Sequence, residues 1–249
     1  MPKAAPRAGV RRALNQKQLV IFYQPIHELE SRKVVGAEAL LRAQRRTGEI
    51  RSAVSIAAGA EEGSEMFRLD SWMMQEVCRD ATRWNSVRLN VNLSPREFQE
   101  GSLLQRLKKL GDVSRLNLEI TETSYIHKPE HIRRLIDQIR ALGVQFWLDD
   151  FGSGHSSLTH LLYFDVDGVK VPETFVKGVE SSGRSRAITK SIIHLAHDLH
   201  LPVIAEGVEN GAQLAFLRDL GCEFIQGFLF SEPMPADRFE SVLGGSSTQ

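Results

Sequence analysis

Eight short β-rich runs alternate along the chain with segments of helical period, and that alternation restricts the fold more than any other feature. The runs are LVIFYQPI, VVGAEALL, RLNVNLS, LNLEIT, QFWLDD, DGVKV, PVIAEG and FIQGFLF. The clearest helical segments are FRLDSWMMQEVCRDATRW, HIRRLIDQIRAL, SRAITKSIIHLAHDL and GAQLAFLRDL. Strands separated by helices build parallel sheets, since a parallel neighbour needs a crossover of a dozen or more residues. Eight such units close into a (β/α)8 barrel, whose functional side chains gather at one face, where the strands end. At 249 residues the chain has the length for one barrel of this kind. The expected fold is α/β, a TIM-like (β/α)8 barrel.

One connection departs from the pattern. HELESRK, between the first two runs, is too short to hold a crossover helix, so this pair must be an antiparallel hairpin. With the turn centred near Glu30 and Ser31, Gln24 falls opposite Glu38. The barrel is therefore expected to have an antiparallel first strand.

Every run also carries a polar residue: Gln24, Glu38, Asn92, Glu119, Asp149 with Asp150, Lys170, Glu206 and Gln226. A single polar intruder reads as a helix cap or a satisfied core group. One on each strand, nearly all of them oxygen donors, reads as a ring converging on the barrel mouth. The adjacent Asp149 and Asp150 fit that reading, because desolvated neighbouring carboxylates need a compensating cation or firm hydrogen bonds. Five carboxylates and an amide oxygen, with no His or Cys, suit Mg²⁺ or Mn²⁺ better than zinc. Their charge of about −5 calls for two ions, about 3.5–4 Å apart and bridged by one aspartate. Such a pair generates hydroxide at neutral pH and clamps both oxygens of an in-line phosphoryl displacement. Ca²⁺ is expected to inhibit, because its larger, looser coordination spoils that spacing. Lys170, inside GVKV, adds a cation able to hold a water or a phosphate oxygen. His194 and His197 read as helix-face residues, and Met66, Met73 and Met74 as core packing.

Composition bounds the partners. Formal net charge is zero, which argues against a polymeric nucleic acid or an anionic membrane as partner. No run is long and apolar enough to span a bilayer, and the N-terminus lacks the apolar centre of a secretion signal. Cys78 and Cys222 make no disulfide framework and point to a reducing, cytoplasmic compartment. Residues 1–10 read as a linker leading to a short helix around Arg11 to Lys17, residues 11–240 as the domain, and residues 241–249 as a flexible tail.

YQPI, EALLR, NVNLS, EITET, DDFGSGHSSL, AEGVE and QGFLFSEP occur in the order seen in EAL-domain phosphodiesterases, which the chain resembles from Arg11 to Phe239. The resemblance implies a barrel with a reversed first strand that hydrolyses cyclic di-GMP to linear 5′-pGpG with two Mg²⁺ or Mn²⁺ ions. It implies that Glu38, Asn92, Glu119 and Asp149 hold the first ion. Asp149 would bridge to the second, completed by Asp150 and Glu206. Lys170 and Gln226 match positions that order the water network, and Glu206, or a metal alone, is the candidate base. Glu209 matches a supporting acid, and Glu122 the residue bracing the loop from Phe151 to Ser157. Arg42 would reach a substrate phosphate, as a guanidinium fork suits, while Gln24 and Leu40 would line the nucleotide pocket. The resemblance further implies a homodimer through helices beside the fifth and sixth strands, and a sensory or cyclase domain in a longer parent chain.

Two departures stand out. Val171 and Pro172 follow Lys170 where the family has Ile-Asp, and Ser153 and His155 replace the usual threonine or alanine and tyrosine. Loss of the acid after Lys170 is expected to slow turnover rather than metal binding. The alternative reading is a degenerate EAL domain that binds the dinucleotide or a partner protein without hydrolysis. Every matched metal position is filled here, which favours the enzyme.

Overall fold

The first hairpin sets the register of the molecule. β1 (Leu19–Glu28) and β2 (Val34–Gln44) pair antiparallel, and Gln24 lies opposite Glu38 as their spacing requires. Residues 29–33 alone join them, with Arg32 in the left-handed region at φ 60°. The structure is a computed structural model that describes residues 13, 18–45, 47–52, 64–94, 102–121, 129–153 and 157–245.

β3 (Ile50–Ser52) adds an antiparallel edge to β2. From β2 the sheet proceeds by parallel steps through β4 (Arg88–Leu93), β5 (Leu116–Thr121), β6 (Gln145–Asp149), β7 (Gly168–Val171), β8 (Val203–Ala205) and β9 (Phe224–Ile225). β9 then pairs antiparallel with β1, and the β1–β2 ladder closes the ring. This is the (β/α)8 barrel with a reversed first strand. β10 (Met234–Pro235) flanks β1. The helices are α1 (Ser64–Arg83), α2 (Leu103–Lys109), α3 (Pro129–Arg140), α4 (Ser157–Tyr163), α5 (Glu173–Gly178), α6 (Gly183–Asp198), α7 (Gly211–Asp219) and α8 (Ala236–Gly245).

Side chains alternate across each strand, so every strand serves two environments. Leu89, Val91, Leu116, Leu118, Phe146, Leu148, Val169 and Val203 face the helices and pack with Val77, Leu107, Ile139, Ile193 and Leu217 in the main core. Ile26, Trp147 and Ile204 form a separate apolar cluster with Val35 and Phe224. These belong to the opposite strand face and plug the barrel beneath its polar mouth. Gly168 makes room for the plug: a Cβ there would lie 2.6 Å from Trp147 Cε3 and Cη2.

Some expected boundaries shift. β8 and β9 stop at Ala205 and Ile225, so Glu206 and Gln226 stand just past their strand ends. The last helix continues to Gly245, through residues expected to begin the tail. The expected helix around Arg11 to Lys17 lies outside the described residues apart from Ala13. Among the described residues no helix is long and apolar enough to cross a membrane. Cys78 and Cys222 are free and buried, and burial pushes both thiols up to about 12, which suits packing rather than chemistry.

Adding a methyl group where an indole already sits is overpacking, which typically costs about 1–3 kcal/mol. Gly168→Ala should lower the stability measured by urea unfolding by that amount. In a Trp147→Leu background, which removes the obstructing ring, the same change should cost clearly less.

Candidate active site

At the carboxyl ends of the parallel strands the inward column turns polar. The Lys170 side chain, only 1% exposed, stands at its centre. Its Nζ lies 2.6 Å from Glu206 Oε1, 2.7 Å from Glu119 Oε1, 3.3 Å from Asp149 Oδ1 and 3.4 Å from Glu38 Oε2. Amides brace the ring. Gln226 Nε2 donates to Glu38 Oε2 at 2.7 Å and to Gln24 Oε1 at 3.1 Å, and Asn92 Nδ2 donates to Glu38 Oε1 at 3.0 Å. Gln24 Nε2 in turn reaches Ser231 O at 3.4 Å.

Asp149 and Asp150 share this mouth because the strand ends between them. In a continuing strand, neighbouring side chains would point to opposite faces. Asp150 instead adopts φ 53°, a left-handed conformation that Asp tolerates better than most residues. As a result, one carboxylate oxygen from each of Asp149, Asp150 and Glu206 lies within 4.8 Å of the other two. Phe151 N donates to Lys170 O at 3.3 Å and ties this turn to β7. Glu206 is held similarly: its N donates to Val171 O at 3.0 Å, while Gln226 N donates to Ala205 O at 2.9 Å. Gly207, at φ 67°, then turns the chain beside Glu173, whose Cβ and Cγ occupy the space a side chain would need.

The electrostatics follow from burial. Desolvation opposes the charge on Lys170, but Asp149, Glu119, Glu206 and Glu38 outweigh it and raise its pKa well above the ordinary lysine value. Burial likewise drives Glu119 well above the usual carboxylate range; Lys170 pulls it back, while Glu38 and Asp149 push it further up. Glu206 is pushed up to about 7, chiefly by burial, against the pull of Lys170 and with help from Asp149 and Glu38. Five carboxylates against one ammonium leave four negative charges, which two divalent cations would match. Three buried oxygens of the site have no hydrogen-bond partner among the described residues: Glu119 Oε2, wholly buried, Gln226 Oε1, and Asp149 Oδ1, which is ion-paired with Lys170 at 3.3 Å. The donor set is oxygen-rich, acidic and partly unsatisfied, and it fits a hard cation.

Above the ring opens a cavity of about 420 Å³. Gln24, Glu38, Leu40, Arg42, Asp149, Asp150, Glu206, Glu209 and Gln226 line it, so nine residues picked out in the sequence meet around one space. Glu119 and Lys170 lie beneath it, and Asn92 reaches it through Glu38. Glu122 lies outside the described residues, as does His155. The sequence reading missed Glu173, Lys177 and Phe228 on the rim. Lys177 Nζ bridges Glu173 Oε1 at 2.6 Å and Glu209 Oε1 at 2.9 Å. The i, i+4 spacing of Glu173 and Lys177 was a legible signal; the third partner was not. Pro172 occupies the N-cap of α5 at φ −60°, where its O accepts from Phe175 N at 3.0 Å. Lys170 itself has four carboxylates around it.

A (β/α)8 barrel with one reversed strand carries at its mouth a ring of carboxylates around a buried lysine, a donor set that fits a hard cation. The chain belongs to the EAL domain family, which it matches over residues 7–233. It is 34% identical to the cyclic di-GMP phosphodiesterase NbdA of Pseudomonas aeruginosa, over 94% of this chain and 31% of that protein. It is 35% identical to the cyclic di-GMP phosphodiesterase PdeR of Escherichia coli, over 93% of this chain and 36% of that one. The chain thus spans about a third of the length of these relatives. The solved structure of the PaMucR phosphodiesterase in complex with c-di-GMP superposes with a TM-score of 0.86 at 31% identity, covering 92% of this chain and 97% of that one.

The raised pKa of Glu206 has a consequence for the cation-free protein. Between its ordinary value of 4.5 and about 7, the native state holds a proton that the unfolded chain has released. This contribution to stability is complete below about pH 4.5 and is lost as pH rises through about 7. In chelator, melting temperature should therefore fall more steeply between about pH 5 and pH 8 in the wild type than in Glu206→Gln. Parallel melting curves for the two proteins would exclude Glu206 as the titrating group.

Proposed function

We propose that this domain hydrolyses cyclic di-GMP to linear 5′-pGpG. The observation that carries the reading is the carboxylate ring around Lys170 at the floor of the cavity, with Glu119 Oε2 buried and without a partner among the described residues. The named activities of the relatives support the same substrate.

Two Mg²⁺ or Mn²⁺ ions would be held by Glu38, Asn92, Glu119 and Asp149 on one side and by Asp149, Asp150 and Glu206 on the other. When bound they would supply an acidified water and charge neutralisation at the phosphodiester. The chain's own groups then have distinct tasks. Lys170 Nζ keeps Glu119 and Glu206 turned inward and, with Gln226, orders the water. Glu206 is the candidate group to accept a proton from the attacking water, and Glu209 supports it from the rim. Arg42 presents a guanidinium to a substrate phosphate, and Gln24 and Leu40 shape the nucleotide pocket. Glu122 is assigned to bracing the loop after β6. The exposed Leu158, Leu162 and Tyr163 on α4 support pairing of two copies along that helix.

Turnover of cyclic di-GMP should require Mg²⁺ or Mn²⁺, stop in excess chelator and be inhibited by Ca²⁺. Glu38→Gln should abolish hydrolysis while its melting temperature in chelator stays level or rises, since one of several crowded like charges is removed. Full turnover in chelator would refute the metal-dependent mechanism. Tight binding of the dinucleotide by the wild type, with no turnover under any metal, would identify a non-hydrolysing domain instead.

A further inference from the structure

Below the carboxylate ring a single file of polar side chains descends inside the barrel. Arg88 Nε donates to Asn117 Oδ1 at 2.7 Å, Asn117 Nδ2 to Asn90 Oδ1 at 2.9 Å, and Asn90 Nδ2 to Glu119 Oε1 at 2.8 Å. The file is anchored at its foot, where Arg88 Nη2 donates to Gly143 O at 2.7 Å and Leu116 O at 3.2 Å. Strand register builds it. Arg88 and Asn90 are two apart on β4, Asn117 and Glu119 two apart on β5, and Asn90 pairs with Asn117 across the ladder. Asn90 and Asn117 are buried, at 1% and 5% exposure.

The direction of this file is forced. Two buried asparagines alone could satisfy each other in either of two orientations. A guanidinium only donates, so Asn117 must turn its oxygen toward Arg88 and its amino group toward Asn90. Asn90, which accepts from Asn117 with its oxygen, must then present its own amino group to Glu119. Glu119 Oε1 thereby receives two donors, Asn90 and Lys170, at 2.8 and 2.7 Å. Its Oε2 is left buried and without a partner among the described residues.

We infer that Arg88, Asn117 and Asn90 form a polarised donor relay that aims Glu119 Oε2 at a divalent cation. Asn90 and Asn117 are thus positioning residues for metal affinity, reaching the ion only through Glu119. This rests on the cation-binding reading of the site given above. Groups that orient a metal ligand typically change metal affinity about 10–100-fold when removed.

Charge and orientation make opposite predictions for two substitutions. Asn117→Asp preserves size, keeps a partner for Arg88 and adds a negative charge below the site. Charge alone would tighten cation binding. In the relay, an acceptor-only residue at 117 makes Asn90 turn its amino group downward and its oxygen toward Glu119, so binding weakens. Arg88→Met removes a positive charge, which on charge alone also tightens binding; in the relay it frees both amides to reverse, and binding again weakens. The experiment is Mn²⁺ titration of the purified protein by calorimetry and electron paramagnetic resonance, with thermal melts in chelator to confirm that each variant is folded. The expected result is about 10–100-fold weaker Mn²⁺ binding in Asn117→Asp and a smaller loss in Arg88→Met. Equal or tighter binding in either folded variant would overturn the relay. Absence of Mn²⁺ binding by the wild type would instead overturn the cation reading, and the relay's role with it.

Discussion

The ammonium of Lys170, sealed in the barrel with four carboxylates around it, is the interaction on which the rest of the site depends. An isolated charge in such a place would be lost to desolvation, and four carboxylates without it would repel one another apart. Together they hold a dense negative site in shape before any cation arrives. Burial first, and the crowding of like charges after it, raises the pKa values of Glu119 and Glu206. A divalent cation bound among these oxygens would displace their protons.

The barrel supplies this order by giving each strand two faces. Outward residues such as Leu118 and Leu148 fasten the strand to the helical shell, which fixes the height of the inward residue next to them. Glu119 and Asp149 are therefore positioned by their apolar neighbours as much as by their own hydrogen bonds. The plug of Ile26, Trp147 and Ile204 closes the barrel beneath the ring. Gly168 is the compensation that lets an indole occupy this space.

Departures from regular strand geometry fall where chemistry needs them. Asp150 leaves the strand in a left-handed conformation so that two successive carboxylates face one cavity. Gly207 bends the chain immediately after Glu206, beside the rim pair of Glu173 and Lys177. Glu209, two residues further along the same turn, meets that pair, so the rim carries an ion-paired cluster next to the acidic floor. Rim pairs this exposed contribute little to stability.

The sequence by itself determined what depends on short-range spacing. A seven-residue connection excludes a crossover helix, and the register of Gln24 with Glu38 follows from it. Alternation along RLNVNLS, LNLEIT and QFWLDD separates inward from outward positions, and so places Asn92, Glu119 and Asp149 together. What only the tertiary structure decided involves partners far apart in the chain. Asn90 and Asn117 look like ordinary polar positions in their strands, and nothing local orients an amide. Their polarity comes from Arg88, whose anchor at Gly143 lies 55 residues away. Lys177 likewise meets Glu209 only once α5 packs beneath the turn after β8. Local period tells which face of a strand a side chain occupies, but the direction of a hydrogen bond depends on every donor and acceptor in contact with it, and folding brings those together.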